Sequence, residues 1–133
     1  MLKKISGYSN VITWLEIPVL DLDRARKFYE TILDITMETM EKDPNSVFFP
    51  RQPDTIMAQS GVVSGTLTLS KENSPSKTGP LIYLNATPSI DAAISKIEGA
   101  GGKILLPKTK IPAGLIAIIE DSEGNRIALH AAQ

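Results

Sequence analysis

A carboxylate two residues from a tryptophan, on a stretch that alternates, is the first place where this chain offers chemistry. In WLEIPV, Trp14 and Glu16 share one strand face, and Leu15, Ile17 and Val19 share the other. Glu16 is the candidate general base, because a carboxylate on an inward strand face is placed to take a proton from a bound molecule. His130, the only histidine, is the candidate proton carrier or partner of Glu16. Trp14 offers a ring to stack on a planar ligand, or simply fills space. Thr68, Tyr83 and Asn85 alternate onto the same inward side and are candidate ligand-binding residues, able to orient a carbonyl or hydroxyl. Each has a plainer reading: Glu16 as a rim carboxylate paired with Arg or Lys, His130 as a half-exposed residue near a chain end, Tyr83 and Asn85 as mutually satisfied. There is no cysteine, so thiol nucleophiles, disulfides and thiolate metal sites are excluded. No Gly-rich phosphate loop and no Ser-His-Asp order is present.

The elements that must position these groups come in two rounds. After Val19 the period changes, and Leu22, Ala25, Phe28, Tyr29, Ile32 and Leu33 form one apolar helical stripe with Asp21 as N-cap. Phe28 and Tyr29 are read as packing residues, and Arg24, Arg26 and Lys27 as a solvated face. An exposed strand is expected over Thr36–Glu41, a turn at Asp43-Pro44-Asn45, and a short buried strand over Ser46–Pro50. Arg51–Ser64 reads as a long loop with a strand fragment at Ile56–Ala58, and Gly65–Ser70 as a strand. Met37, Met40 and Met57 read as gap fillers or pocket wall. Past a polar linker, Lys71–Gly79, the pattern returns. Leu81–Ala86 is a strand, and Thr87-Pro88 an N-cap and first turn. Ile90, Ala93, Ile94 and Ile97 form a helix stopped by Gly101-Gly102. Strands follow at Lys103–Leu106, Leu115–Ile119 and Arg126–His130. Lys108–Gly114 is the intervening loop, and Asp121–Asn125 a hairpin turn with Gly124 at positive φ.

The two rounds match at an offset of about 67 residues. The expected fold class is α+β: tandem βαβββ repeats forming a cupped eight-strand mixed sheet with helices outside. A single domain spans 1–133, with halves at about 10–70 and 80–133. The inward positions, from Ile12 and Trp14 on the first strand to Ala128 and His130 on the last, are mostly apolar with a few polar groups, as a small-molecule pocket would be. Fourteen basic against fifteen acidic residues, without a basic run, leave no electrostatic footprint for nucleic acid. No apolar run reaches membrane-span length and MLKKISGYSN has no signal-peptide core, so Met1–Ser9 reads as an arm or an added strand and the location as cytoplasmic.

The runs WLEIPV, DLDRARKFY and DSEGNRIALH, with Leu33-Asp34 ending the helix, resemble the vicinal oxygen chelate superfamily, the glyoxalase, bleomycin-resistance and extradiol dioxygenase group. In its metal-using members four inward residues, usually histidine and glutamate, hold a divalent ion. The resemblance carries those positions onto Trp14, Thr68, Leu81 and Ala128. Three of these cannot ligate and a lone threonine hydroxyl is a poor ligand, so the expectation is no metal and no other cofactor. Two functions stay open. One is a metal-independent lyase or isomerase in which Glu16 abstracts a proton beside a carbonyl, with His130, Tyr83 or Asn85 holding the enolate oxygen. The other is a non-catalytic protein that sequesters a small molecule, in which Trp14 matters more. A third, blander reading is a vestigial cleft serving dimerisation. A homodimer is expected, with the strand Thr36–Glu41 as an available edge.

Overall fold

The chain folds as strand, helix and three strands, twice over. The computed structural model describes residues 4–53 and 61–133; the expected strand fragment Ile56–Ala58, with Met57, lies outside them. The first repeat holds β1 (Trp14–Val19), α1 (Leu22–Leu33), β2 (Glu38–Met40), β3 (Asp43–Phe48) and β4 (Ser64–Leu69). The second holds β5 (Tyr83–Asn85), α2 (Ile90–Ile94), β6 (Lys103–Ile111), β7 (Gly114–Glu120) and β8 (Arg126–Ala131). The eight strands divide into two four-stranded mixed sheets, ordered β1-β4-β3-β2 and β5-β8-β7-β6. In each, the first strand pairs in parallel with the last. A parallel pair needs a long crossover, and the helix supplies its first part.

Helix α1 forms where its stripe predicts. Asp21 caps it by accepting from the Arg24 amide at 3.0 Å, and Asp34 ends it in the left-handed region (φ 53°), its amide donating to the Glu30 carbonyl. Ile17 and Val19 of β1, Ala25, Phe28, Tyr29 and Ile32 of α1, and Leu67 of β4 are buried in one cluster, which continues into Ile90, Ile97, Ile119 and Leu129 of the second repeat. Each large side chain so buried contributes roughly 1.5–3 kcal/mol. Phe28 and Tyr29 are packing residues as expected, meeting edge to face at 5.1 Å.

Several boundaries differ from expectation. Strand β3 begins at Asp43, so the turn expected at Asp43-Pro44-Asn45 falls instead at Glu41-Lys42, between the paired Met40 and Asp43. Pro44 is tolerated because β3 pairs with β4 only over Ser46–Phe48, and no ladder bond needs its missing N–H. Strand β6 runs through Pro107 to Ile111, absorbing the expected Lys108–Gly114 loop. It lies at a sheet edge, and register shifts on either side of Leu106 accommodate the proline. Ser89, not Thr87, is the N-cap of α2, accepting from the Ala92 amide, because the Thr87 hydroxyl is already bonded to Asn85. The α-helix ends at Ile94 and continues as tighter turns to Gly101 (φ +103°), the expected stop. Leu81 lies before β5, and Ile12 is exposed ahead of β1 rather than on an inner strand face. The described part of the N-terminal arm forms turns, with no strand.

The repeats are also joined by a polar clasp. The Glu123 carboxylate accepts from the amides of Leu20 and Asp21, both at 2.8 Å, and from Arg24 Nε and Nη2 at 2.7 and 3.0 Å. Beside it, Tyr29 donates its hydroxyl to Asp121 Oδ2 at 2.6 Å, and the Asn125 amide donates to the Pro18 carbonyl at 2.8 Å. Arg24 stays about half exposed (52 % of its side chain), as expected of a solvated face, and also ties the two halves together. Arg26 likewise donates to the Met37 carbonyl at 2.7 Å.

Candidate functional site

The first sheet presents its side away from α1 as an open groove of about 550 Å³. Alternation along β1 turns Trp14 and Glu16 into it, and pairing of β4 with β1 and β3 brings Thr66, Thr68, Ser46 and Phe48 to the same side. The floor is a chain of hydroxyls: Ser46 Oγ lies 3.1 Å from Thr68 Oγ1, which lies 2.9 Å from Thr66 Oγ1. Three hydroxyls carry three hydrogens, and two contacts use two of them, so one hydroxyl hydrogen is left over. Trp14 and Phe48 form an aromatic wall, centroids 6.1 Å apart and tilted by 59°. Trp14 is 37 % exposed, enough to present a ring to a guest. Arg51 sits over Phe48 at 5.1 Å, and Asp43, Lys71 and Glu72 complete the rim. Glu16 is exposed in the groove, with no hydrogen-bond or ion-pair partner among the described residues.

The second sheet carries the remaining candidates. Tyr83, Asn85 and His130 line a separate groove of about 440 Å³. His130 Nε2 lies 2.7 Å from the Ala113 carbonyl, and because a carbonyl only accepts, that nitrogen holds the hydrogen. The ring is thereby tied to the β6–β7 turn. Asn85 Oδ1 accepts from the amide of Thr87 at 3.0 Å and from its hydroxyl. Tyr83 is half exposed. The structure thus brings Trp14, Glu16 and Thr68 together and Tyr83, Asn85 and His130 together, in two grooves rather than one.

The four positions that the resemblance makes metal-binding do not suit a cation. Trp14 and Leu81 offer no ligating atom, Ala128 is buried and has none, and the Thr68 hydroxyl is engaged with Ser46 and Thr66. The register adds a detail. Thr66 stands opposite Glu16 as Ala128 stands opposite Tyr83, so Thr66 rather than Thr68 is the repeat mate of Ala128. Among the described residues no three His, Cys, Asp or Glu side chains converge.

Sequence reasoning missed Ser46 and Phe48, because Ser46–Pro50 reads as a buried run with no sign of which face is open. Their alternation with Val47 and Phe49, both buried, was the signal available. It also missed Thr66, which shares its face with Thr68.

Solved structures share this architecture. A hypothetical protein, SA1046, from S. aureus is 17 % identical with TM-score 0.66, covering 92 % of this chain and 94 % of that one. A glyoxalase/bleomycin resistance protein from Albidiferax ferrireducens T118 is 19 % identical with TM-score 0.67, covering 90 % and 97 %. A lactoylglutathione lyase from Agrobacterium tumefaciens is 15 % identical with TM-score 0.57, covering 90 % and 91 %. At such identities these likenesses speak for the fold alone. No curated protein matches the chain. The family model described as Glyoxalase/Bleomycin resistance protein/Dioxygenase superfamily matches residues 11–129, and the chain belongs to that superfamily.

Proposed function

We propose that this chain binds a small organic molecule in the first-sheet groove without help from a metal ion. The observation that carries this reading is the Ser46–Thr68–Thr66 hydroxyl chain under the Trp14–Phe48 wall. An aromatic face for a ring and a leftover hydroxyl donor for one polar group are the parts a small-molecule site needs. The non-catalytic form of the proposal is the better supported. Its support is that Glu16 and His130 line different grooves, and that His130 is held by the Ala113 carbonyl. The test is a ligand screen read by Trp14 fluorescence, since Trp14 is the only tryptophan. Saturable quenching that survives Glu16→Gln and is weakened at least tenfold by Thr68→Val supports binding by this groove. Quenching unaffected by Thr68→Val sinks it.

One observation favours a second reading. Glu16 is unpaired among the described residues, in a groove whose hydroxyl floor has one hydrogen left over. In that reading Glu16 takes a proton beside a carbonyl of the bound molecule, and a hydroxyl of the floor supports the enolate oxygen. Tyr83, Asn85 and His130 then take part only if a partner chain brings its second-sheet groove against the first. We therefore also propose a homodimer. The exposed β2 edge, Glu38–Met40, is the available pairing surface. Turnover lost on Glu16→Gln with ligand affinity kept within about threefold would identify the enzyme.

A further inference from the structure

A hollow lies on the helix side of the molecule, between α1 and the turns that follow α2. It measures about 470 Å³ and shares no lining residue with either open groove. Arg24, Lys27, Phe28 and Thr31 stand at helical steps of three and four, so they share one face of α1. Lys96, Gly99 and Ala100 follow the same spacing on the other wall. Gly99 and Ala100 are too small to close the gap, and a Cβ at Gly99 would meet nothing within 4 Å. Among the described residues, every ionisable group in the lining is a cation.

The three cations differ in how they are held. Arg24 Nε and Nη2 donate to Glu123, and Glu123 is itself fixed by the amides of Leu20 and Asp21. The guanidinium is therefore oriented in advance, and its Nη1 has no partner among the described residues. Lys96 is half-buried and Lys27 exposed, and neither ammonium has a partner among the described residues. Asp23 and Glu98, the acids next to Arg24 and Gly99 in sequence, are exposed and outside the lining. The Thr31 hydroxyl spends its hydrogen on the Lys27 carbonyl, at 2.7 Å. With Arg24 balanced by Glu123, Lys27 and Lys96 leave two unbalanced positive charges, one on each wall. Like charges on facing walls repel, and an anion between them replaces that cost with attraction.

We propose that this hollow is an anion site that takes a small phosphate monoester. Its phosphate oxygens accept from Lys27, Lys96 and Arg24 Nη1, and its organic body rests on Phe28 and Ala100. A phosphate suits the walls better than a single carboxylate does. Its two charges match the two unbalanced lysines, and its several oxygens can meet donors from both walls at once. The site is independent of the Trp14 groove, because α1 and the open groove lie on opposite sides of the first sheet.

The test titrates phenyl phosphate into the 15N-labelled full chain at fixed ionic strength, well above about pH 6, where the monoester is doubly charged. Benzyl alcohol is the neutral aromatic control. The Gly99 and Ala100 backbone amides are followed by NMR, with Trp14 emission in parallel. Phenyl phosphate is expected to shift both amides saturably and to leave Trp14 unchanged. Lys27→Gln and Lys96→Gln are each expected to weaken it roughly three- to fivefold, the worth of one exposed charge contact. Gly99→Glu sets a carboxylate in open space beside the lysines and is expected to abolish saturation, whereas Gly99→Ser keeps affinity within about twofold. Affinity that survives Gly99→Glu or both lysine variants overturns the proposal. So does equal binding of benzyl alcohol, equal loss in Gly99→Ser and Gly99→Glu, or saturation read only by Trp14.

Discussion

Glu123 receives hydrogen bonds from five donors: two amides, two nitrogens of Arg24, and the Ser122 hydroxyl. Its side chain is fully enclosed. Burial alone would push this carboxyl up, but the bonds from Arg24, Ser122, Asp21 and Leu20 outweigh burial and hold it below the ordinary glutamate range. The stability it contributes is therefore present above the unfolded value, about pH 4.3, and is lost as the pH falls through the lower folded value. Glu123→Gln keeps the shape and loses the charge. It is expected to lower stability at pH 7 by about 1–3 kcal/mol and to flatten the fall in stability below about pH 4, as urea melts across pH would show. Tyr29 behaves in the opposite sense. Burial, and then the Asp121 carboxylate, push its phenol well above the usual value, so its contribution is intact at neutral pH and declines above about pH 10. Tyr29→Phe is expected to cost about 1–2 kcal/mol at pH 7 in the same melts. Asp121 keeps its other donors, the amides of Glu123 and Asn125 and the Asn125 side chain. None of these roles was legible as more than a hairpin turn, because the partners of Asp121 and Glu123 lie about a hundred residues earlier in the chain.

At the scale of elements, local signals succeeded where local physics decides. Asp21 caps α1 because its short side chain reaches back to the Arg24 amide, and that needs nothing from the rest of the protein. Asp34 ends the helix at φ 53°, where a side chain is mildly strained. Asp34→Gly is accordingly expected to raise stability by about 0.5–1 kcal/mol, measurable as a higher thermal midpoint. Ser89→Ala is expected to lower it by about 0.5–1 kcal/mol, since it removes the cap of α2. Thr87→Ala leaves that cap in place, and the contrast between the two variants distinguishes the observed boundary from the expected one. Strand ends were misread where pairing rather than composition sets them. β6 tolerates Pro107 because an edge strand with register shifts does not need every N–H.

At the scale of the molecule, the repeat predicts two equivalent halves, and the two open faces differ. The first carries hydroxyls, a carboxylate and two aromatic rings, and the second a tied histidine with Tyr83 and Asn85. The proposed homodimer is expected to elute at about twice the 14.4 kDa chain mass, and elution at the mass of one chain would refute it. Among the described residues no helix is long and apolar enough to cross a membrane. By itself the sequence determined the order of elements, the buried faces of β1, β5 and β8 and the poor donor set at the four inward positions. Those follow from alternation, helical spacing and side-chain chemistry, all local properties. Only the tertiary structure decided which inward residues meet. It put Glu16 beside Thr68 and Trp14, and His130 against the Ala113 carbonyl, because strand register and the clasp from Leu20 to Glu123 join segments that no local pattern relates.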